Sequence, residues 1–339
     1  MDTVVSGIRS TGNLHLGNYF GAIKNFTAMQ HEYRCFFFIA DYHSLTTHPT
    51  PENLQQNVKA ALVEYLACGL DPEVCTMYIQ SDLPETAELY LLLNMNAYVG
   101  ELERVTSFKE KIRKHPDNIN AGLLTYPVLM AADILILMAA DILIHKATKV
   151  PVGKDQEQHL EMSRTFGNRF NRLYKTEYFG EPMAFNFGNT LVKVPGLDGA
   201  GKMGKSESEG NALFLKDDAA TIRKKIMRAV TDSGPTEPNS AKPEAIENLF
   251  SLMKLVSSSD TISHFETAYN NCNIRYGDLK KQLAEDMVTF MAPITQKILD
   301  IEKNHDYVKK VVLLGREKAK ASAQKTIEEV RQIIGIRRF

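Results

Sequence analysis

The order of three short segments near the start of the chain constrains its fold more than any other feature. Positions 3–6 form a β-branched run ending at Gly7, and positions 35–40 (CFFFIA) form an apolar run ending at Asp41. Between them, positions 16–33 carry apolar residues at helical spacing. Strand, helix, strand in that order predicts two parallel strands, because the helix must cross back over the sheet to join them. Positions 54–69 read as another amphipathic helix and 76–80 (TMYIQ) as another strand. The first half is therefore expected to be of the α/β class, a parallel sheet with crossover helices. Ligands of such sheets bind at the carboxyl ends of the strands, where Gly7, Asp41 and Ser81 are expected.

From position 217 onward glycine becomes sparse and the helical period takes over, in DDAATIRKKIMRAV, IENLFSLMKLVS, YGDLKKQLAEDMVTFMAPITQKI and REKAKASAQKTIEEVRQII. Positions 231–243 form a turn-rich loop inside this region, and 186–210 a glycine-rich polar connector between the halves. A length of 339 residues fits two domains of this kind.

Forty basic residues against forty-one acidic ones exclude a strongly basic nucleic-acid coat protein, so any RNA contact must be local. Cys35, Cys68, Cys75 and Cys272 show neither CxxC pairing nor zinc-ligand spacing. They fit a reducing, cytoplasmic setting and are expected as buried small hydrophobes. The first residues, with an acid at position 2, lack the basic and apolar regions of an export signal. Positions 123–144 are apolar for about the length of a bilayer span but contain Pro127, Asp133 and Asp141. Each mid-membrane Asp would cost roughly 2.5 to 3.5 kcal/mol, so a buried helix is expected there.

Two segments carry the chemistry. After the first strand the chain reads SGIRSTGNLHLGNY, positions 6–19. Gly7 and Gly12 allow tight turns and close approach to a ligand, and His15 and Asn18 sit i, i+3 on the first turn of the next helix. Helix N-termini attract phosphate, and Gly17 removes a side chain that would block a nucleotide. Read without function, the same residues are a strand, a turn and a capped helix with a solvent-facing histidine. Far downstream, positions 199–206 read GAGKMGKS. Lys202 and Lys205, three apart on a glycine-rich loop, suit a clamp that places two ammonium charges on a triphosphate. The letters also fit the P-loop pattern GxxxxGKS, but no strand precedes them convincingly.

HLGN near the N-terminus together with KMGKS near the domain junction resembles the HIGH and KMSKS signatures of the class I aminoacyl-tRNA synthetases. The stretches DYHSLTT (41–47), GELERVTSFKEK (100–111), GLLTYPVLMAADIL (122–135) and VPVGKDQEQHLE (150–161) resemble the tryptophanyl branch rather than the tyrosyl one. The resemblance implies a Rossmann-like catalytic domain over 1–207, whose KMSKS-like loop is 199–206. It also implies an all-helical anticodon-binding domain over 208–339, its last helix packing back on the first domain.

It implies further that ATP, carrying Mg2+, is bound by Gly7, Arg9, Ser10, Thr11, Gly17 and Asn18, by Gly153, Lys154 and Asp155, and by Lys202, Met203, Gly204, Lys205 and Ser206. The catalytic set would be His15, Asn18, Lys111, Lys202 and Lys205. Tryptophan would lie among Val5, His43, Tyr126, Met130, Asp133, Met138, Asp141, Val150, Val152 and Gln156, with a carboxylate on the MAADIL helix accepting the indole N–H. No protein-bound metal and no membrane or DNA partner is implied; the partners are tRNA, tryptophan, ATP and a second copy of the chain. Two basic runs, Arg223, Lys224, Lys225 and Arg228, then Arg316, Lys318, Lys320 and Lys325, are candidates for tRNA contact or are solvated helical faces.

The chain departs from the pattern twice. Gly204 replaces the middle serine of KMSKS, and the octet LMAADILI stands twice in succession, at 129–136 and 137–144. An octet adds about 12 Å of helix and roughly 80° of rotation, so Asp133 and Asp141 cannot face one pocket together. Asp133 has the family spacing from Tyr126, and Asp141 has it from Val150 and Gln156. The upstream loop, 118–125, is the more yielding side, which favours Asp141. Three alternatives compete: a tyrosyl enzyme, a nucleotidyltransferase sharing the HxGH-like turn, and an inactive RNA-binding relative.

Overall fold

The structure is a computed structural model that describes residues 1–10, 12–45, 49–105, 108–109, 112–113, 121–125, 139–151, 157–185, 192–199, 201–204 and 210–336. Five strands form one parallel sheet in the order β3-β2-β1-β4-β5, with β1 Thr3–Arg9, β2 Arg34–Ala40, β3 Thr76–Ile79, β4 Lys149–Pro151 and β5 Met183–Phe185. The order reverses direction at β1, so the crevice beyond the carboxyl ends of β1 and β4 is where a ligand of a doubly wound sheet is held.

β1 reaches Arg9 rather than stopping near Gly7, because its pairing with β2 continues from Thr3↔Arg34 to Arg9↔Ala40. Gly7 is thus an interior strand residue opposite Phe38, not a turn. A Cβ there would lie 2.6 Å from the Phe38 ring, so the glycine makes room for that ring.

The alternation of side chains sorts two apolar layers. Val5, Phe36, Phe38 and Tyr78 face one side, while Val4, Ile8, Phe37 and Met77 face the other. The second side is covered by a run that starts as α1 Leu16–Asn18, passes through a π-helical turn Tyr19–Ile23 and continues as α2 Lys24–Met29. After α3 Asp41–Ser44, α4 Pro51–Ala67 covers it too, capped by Thr50, whose hydroxyl accepts the Asn53 N–H. The first side carries α5 Pro84–Asn94, α6 Val99–Leu102, α7 Ala121–Leu124, α8 Ala139–Ile144 and α9 Glu157–Tyr174.

The remaining helices are α10 Ala219–Met227, α11 Glu244–Val256, α12 Ser259–Asn270, α13 Tyr276–Lys303 and α14 His305–Ile334. α10 to α13 enclose a third apolar cluster that also takes in Leu16 and Phe20 from the start of the α1–α2 run. α14 returns to the sheet and lies against β3, the edge strand; a Cβ on Gly315 would overlap the Met77 carbonyl, so only glycine permits this approach. A helix laid along an edge strand blocks pairing with another chain.

Of the four cysteines, Cys35 and Cys75 are buried, with thiols pushed up to about 12 chiefly by burial. Cys68 is half-buried and Cys272 exposed, which corrects the expectation of four buried thiols. Cys272 follows α12 at a positive φ of 55°, in a surface turn where no core was available to it. Among the described residues no helix is long and apolar enough to cross a membrane.

Candidate active site

The HLGN turn is held from three directions. The Leu14 N–H donates to the buried Glu64 carboxylate of α4 at 2.7 Å. Leu16 N–H donates to the Leu213 carbonyl at 2.8 Å and Leu215 N–H to the Leu14 carbonyl at 2.9 Å, so the turn pairs with the strand-like segment just after the KMGKS loop. Within the turn, the His15 N–H donates to Asn18 Oδ1 at 3.0 Å, capping the helix.

His15 and Asn18 are 5% and 6% exposed, so the histidine does not face solvent as the reading without function has it. Asn18 spends its side-chain oxygen on the helix cap. A Cβ on Gly17 would come 2.8 Å from His15 Nδ1 and 3.6 Å from the Met203 carbonyl. The glycine therefore lets the His15 ring fold over the turn and brings HLGN against KMGKS, two motifs separated by most of the first half of the chain.

The second motif begins at a tight loop. Gly199 and Gly201 have positive φ, 85° and 67°, which glycine adopts without strain. Met203 is buried, its N–H donating to the Val194 carbonyl at 2.8 Å, while Lys202 beside it is exposed. Asn211 fixes the base of this loop, its Oδ1 accepting the Asp198 N–H. The Gly201 N–H reaches Glu244 at the start of α11. Gly204 is half-buried.

Arg9 ends β1, and its Nε is enclosed without a hydrogen-bond partner among the described residues, a donor left over at the strand's carboxyl end. Ser10 is buried, and its hydroxyl lies 2.8 Å from that of Ser44. That contact ties β1 to α3. Asp41 Oδ1 accepts the Ser81 N–H at 3.0 Å, bringing together the ends of β2 and β3 as the sequence led one to expect.

Beneath this rim the first face of the sheet is tightly buried. Val5 of β1, Val150 of β4 and His43 of α3 are fully buried. Val5 and Val150 share one cluster with Ala139 and Ala140 of α8. Asp141, one residue on, is also fully buried, and its Oδ2 accepts the Gln80 amide at 2.8 Å. A carboxylate in that setting is strongly disfavoured without donors, and the Gln80 amide supplies one. Thr11, Lys111, Tyr126, Met130, Asp133, Met138, Val152, Gly153, Lys154, Asp155, Gln156, Lys205 and Ser206 lie outside the described residues.

Of the basic runs, Arg223 is bound at 2.7 Å by Glu285, Lys225 by Asp217 and the Ala212 carbonyl, and Lys318 by the Pro72 carbonyl. These three hold structure. Lys224 and Arg228 remain on the rim of a cleft of about 660 Å³ that also meets Asp198 and Asn211. Glu64, Gln80 and Asn211 were not singled out in the sequence. Glu64 had left a signal, an acid inside the apolar stretch AALVEYLA.

Comparison with known proteins gives one answer. The family model described as tRNA synthetases class I (W and Y) matches residues 2–292. A tryptophan–tRNA ligase of Porphyromonas gingivalis is 63% identical over 99% of this chain and 100% of its own length. One of Fusobacterium nucleatum is 40% identical over 99% and 98%. The crystal structure of tryptophanyl-tRNA synthetase from Campylobacter jejuni, complexed with ADP and tryptophan, superposes with a TM-score of 0.86 at 33% identity, covering 99% of this chain and all of that one. With both signature motifs in contact at the carboxyl ends of a parallel sheet, this chain belongs to the class I aminoacyl-tRNA synthetases, in their tryptophanyl branch.

Proposed function

We propose that the chain joins L-tryptophan to its tRNA at the expense of ATP, through a tryptophanyl-adenylate. The observation that carries this reading is the contact of HLGN with KMGKS, beside a parallel sheet that also buries the carboxylate of Asp141. The tryptophan carboxylate attacks the α-phosphorus of ATP and pyrophosphate leaves. The ribose hydroxyl of the terminal tRNA adenosine then takes the acyl group and AMP leaves. No enzyme nucleophile is required, and catalysis consists of positioning and charge stabilisation.

His15, Gly17 and Arg9 face the nucleotide, with Asn18 holding the turn. Lys202 of the loop, with Lys205 and Lys111 from the sequence pattern, neutralises the departing pyrophosphate, and magnesium enters as part of the ATP substrate. Asp141 accepts the indole N–H, and a site built on such a bond rejects a ring that brings no donor to that point. Tyr126 and Gln156 grip the ammonium group.

The boundary between catalytic and helical domains is assigned at 207/208, with the helical domain reading the anticodon. Exposed Leu91, Met95, Tyr98 and Val99 on and between α5 and α6 support a homodimer. Reduced thiols at Cys35 and Cys75 support a cytoplasmic setting. ATP–pyrophosphate exchange tests the reading: tryptophan should drive it and tyrosine should not, and exchange with tyrosine alone or with neither would overturn it.

A further inference from the structure

The doubled octet poses a register problem that the octet itself cannot solve. Positions 129–136 and 137–144 are identical, so either copy could present the same eight side chains to the sheet. Only flanking residues can break the tie. The first copy is followed by Leu137 and Met138, the second by His145 and Lys146.

The structure docks the second copy as α8, and its contacts with β3 form two rungs. Asp141 accepts from Gln80, and His145 Nε2 lies 3.0 Å from the Tyr78 hydroxyl. The rungs are four residues apart along the helical turn and two apart along the strand and its extension. Those spacings are about 6 Å and about 6.6 Å, so the two ladders are commensurate. On its other side His145 Nδ1 lies 3.1 Å from the Ser322 hydroxyl of α14, and its ring stacks on Phe36 with centroids 4.0 Å apart and planes 11° apart. His145 is 4% exposed, so a residue without ring nitrogens would leave the buried Tyr78 hydroxyl without this partner.

The helix stops there as well. Ala147 N–H returns to the Ile142 carbonyl and Lys146 N–H to the Leu143 carbonyl, with Lys146 at φ 50°. Lys146 is held in turn by Glu329 of α14 at 2.9 Å and lies 3.7 Å above the Tyr178 ring.

We propose that His145 selects the register of the repeated segment, and is thereby the positioning residue that makes Asp141, rather than Asp133, the carboxylate of the amino-acid pocket. The inference rests on the assignment of that carboxylate to the indole N–H. An eight-residue slip would bring Asp133 to Gln80 and Leu137 to Tyr78, Phe36 and Ser322. Leucine can cover Phe36 but offers nothing to either hydroxyl.

The test is a change of dependence, measured by tryptophan-dependent ATP–pyrophosphate exchange on the purified full chain. In the parent chain, Asp141→Asn should lower kcat/KM for tryptophan by about a hundredfold or more, and Asp133→Asn should leave it within about twofold. In a chain carrying Leu137→His with His145→Leu, the two should trade places. His145→Leu removes the ring's share of the preference and leaves that of Lys146, so it should weaken the dependence on Asp141 and bring the loss from Asp141→Asn to about tenfold or less. His145→Gln, which keeps donor and acceptor, should not suppress it. Melting curves and the ATP KM identify chains that are folded, and the single variant reads the same selection if the exchanged chain does not fold. A requirement for Asp141 that persists unchanged in both His145→Leu backgrounds overturns the selection. Indifference to both aspartates in every background overturns instead the assignment of the indole acceptor.

Discussion

The two sides of the site are built on opposite terms. On the tryptophan side, Val5, His43, Asp141 and Val150 are fully buried, and α8 is tied to β3 and α14 by side-chain hydrogen bonds. On the proposed ATP side, exposed Lys202 stands on a loop shaped by glycines, and among its described residues 201–204 only Met203 is buried. One side is closely packed; the other presents an exposed charge beside a buried turn. Changes on the first side should therefore move stability and affinity together, whereas changes on the second should move the rate alone.

The largest effect expected lies on the ATP side. Lys202→Ala and Lys205→Ala should each remove on the order of 2 to 4 kcal/mol of transition-state stabilisation from adenylate formation. The melting temperature and tryptophan affinity should stay where they are, because a lysine on an exposed loop contributes little to the fold. Single-turnover adenylate formation read beside equilibrium tryptophan binding checks this. Equal losses in both would show that the loop is not a separate element.

On the buried side pH makes the contrast. Burial, with Arg34 nearby, pushes His145 down to about 3 from the ordinary 6.5. The unfolded chain therefore takes up a proton below about pH 6.5 that the folded chain refuses, so this contribution to stability falls as pH falls. Between pH 7 and pH 5 the loss is about 2 kcal/mol. Denaturant melts at the two pH values should show a drop smaller by about that amount in His145→Gln. An identical drop in parent and variant would mean that the histidine is protonated in the fold.

Gly17→Ala tests the seam between the two motifs. The new methyl would meet the flexible His15 ring at 2.8 Å, so the ring should turn away at a stability cost of about 1 kcal/mol or less, while the KM for ATP rises about tenfold. An unchanged KM would place His15 outside the nucleotide site. The smallest effect is expected for Asn18→Ala, which removes the helix cap and should cost about 1 kcal/mol of stability. Its exchange rate per folded molecule should also fall, and a rate that did not fall would leave Asn18 as a cap and nothing more.

Much of this was legible in the letters. Apolar runs at 35–40 and 76–80 with a helical stretch before them predicted parallel strands, and the long 3.6-residue period predicted α13 and α14, because both signals repeat over many residues. β5 was not anticipated: Met183–Phe185 is three residues long and largely exposed, too short for alternation to register. Gly7 was misplaced for a related reason. A glycine is the same letter whether it frees a turn or clears space for a ring on the next strand, and only the Phe38 neighbour separates the two. On the site, the paired motifs were readable, whereas the supports were not. Glu64 and Gln80 act across 50 and 61 residues of sequence, and His145 meets α14 across 177. Separations of that kind leave no periodic trace.

The approach of α14 to β3 at Gly315 has a consequence for how the molecule comes into being. Ribosomes release a chain from its amino end, and sheet strands gather before distant helices exist. β1 to β5 are complete by residue 185, yet the edge of β3 stays open and His145 lacks its Ser322 partner until positions 305–334 have been made. The nascent chain should thus pass through a stage in which its sheet is formed, its border is open and its repeated segment is held by the Tyr78 rung without the Ser322 one. The helix that ends this stage is among the last parts translated, so an interrupted product should be a poor enzyme as well as a sticky one.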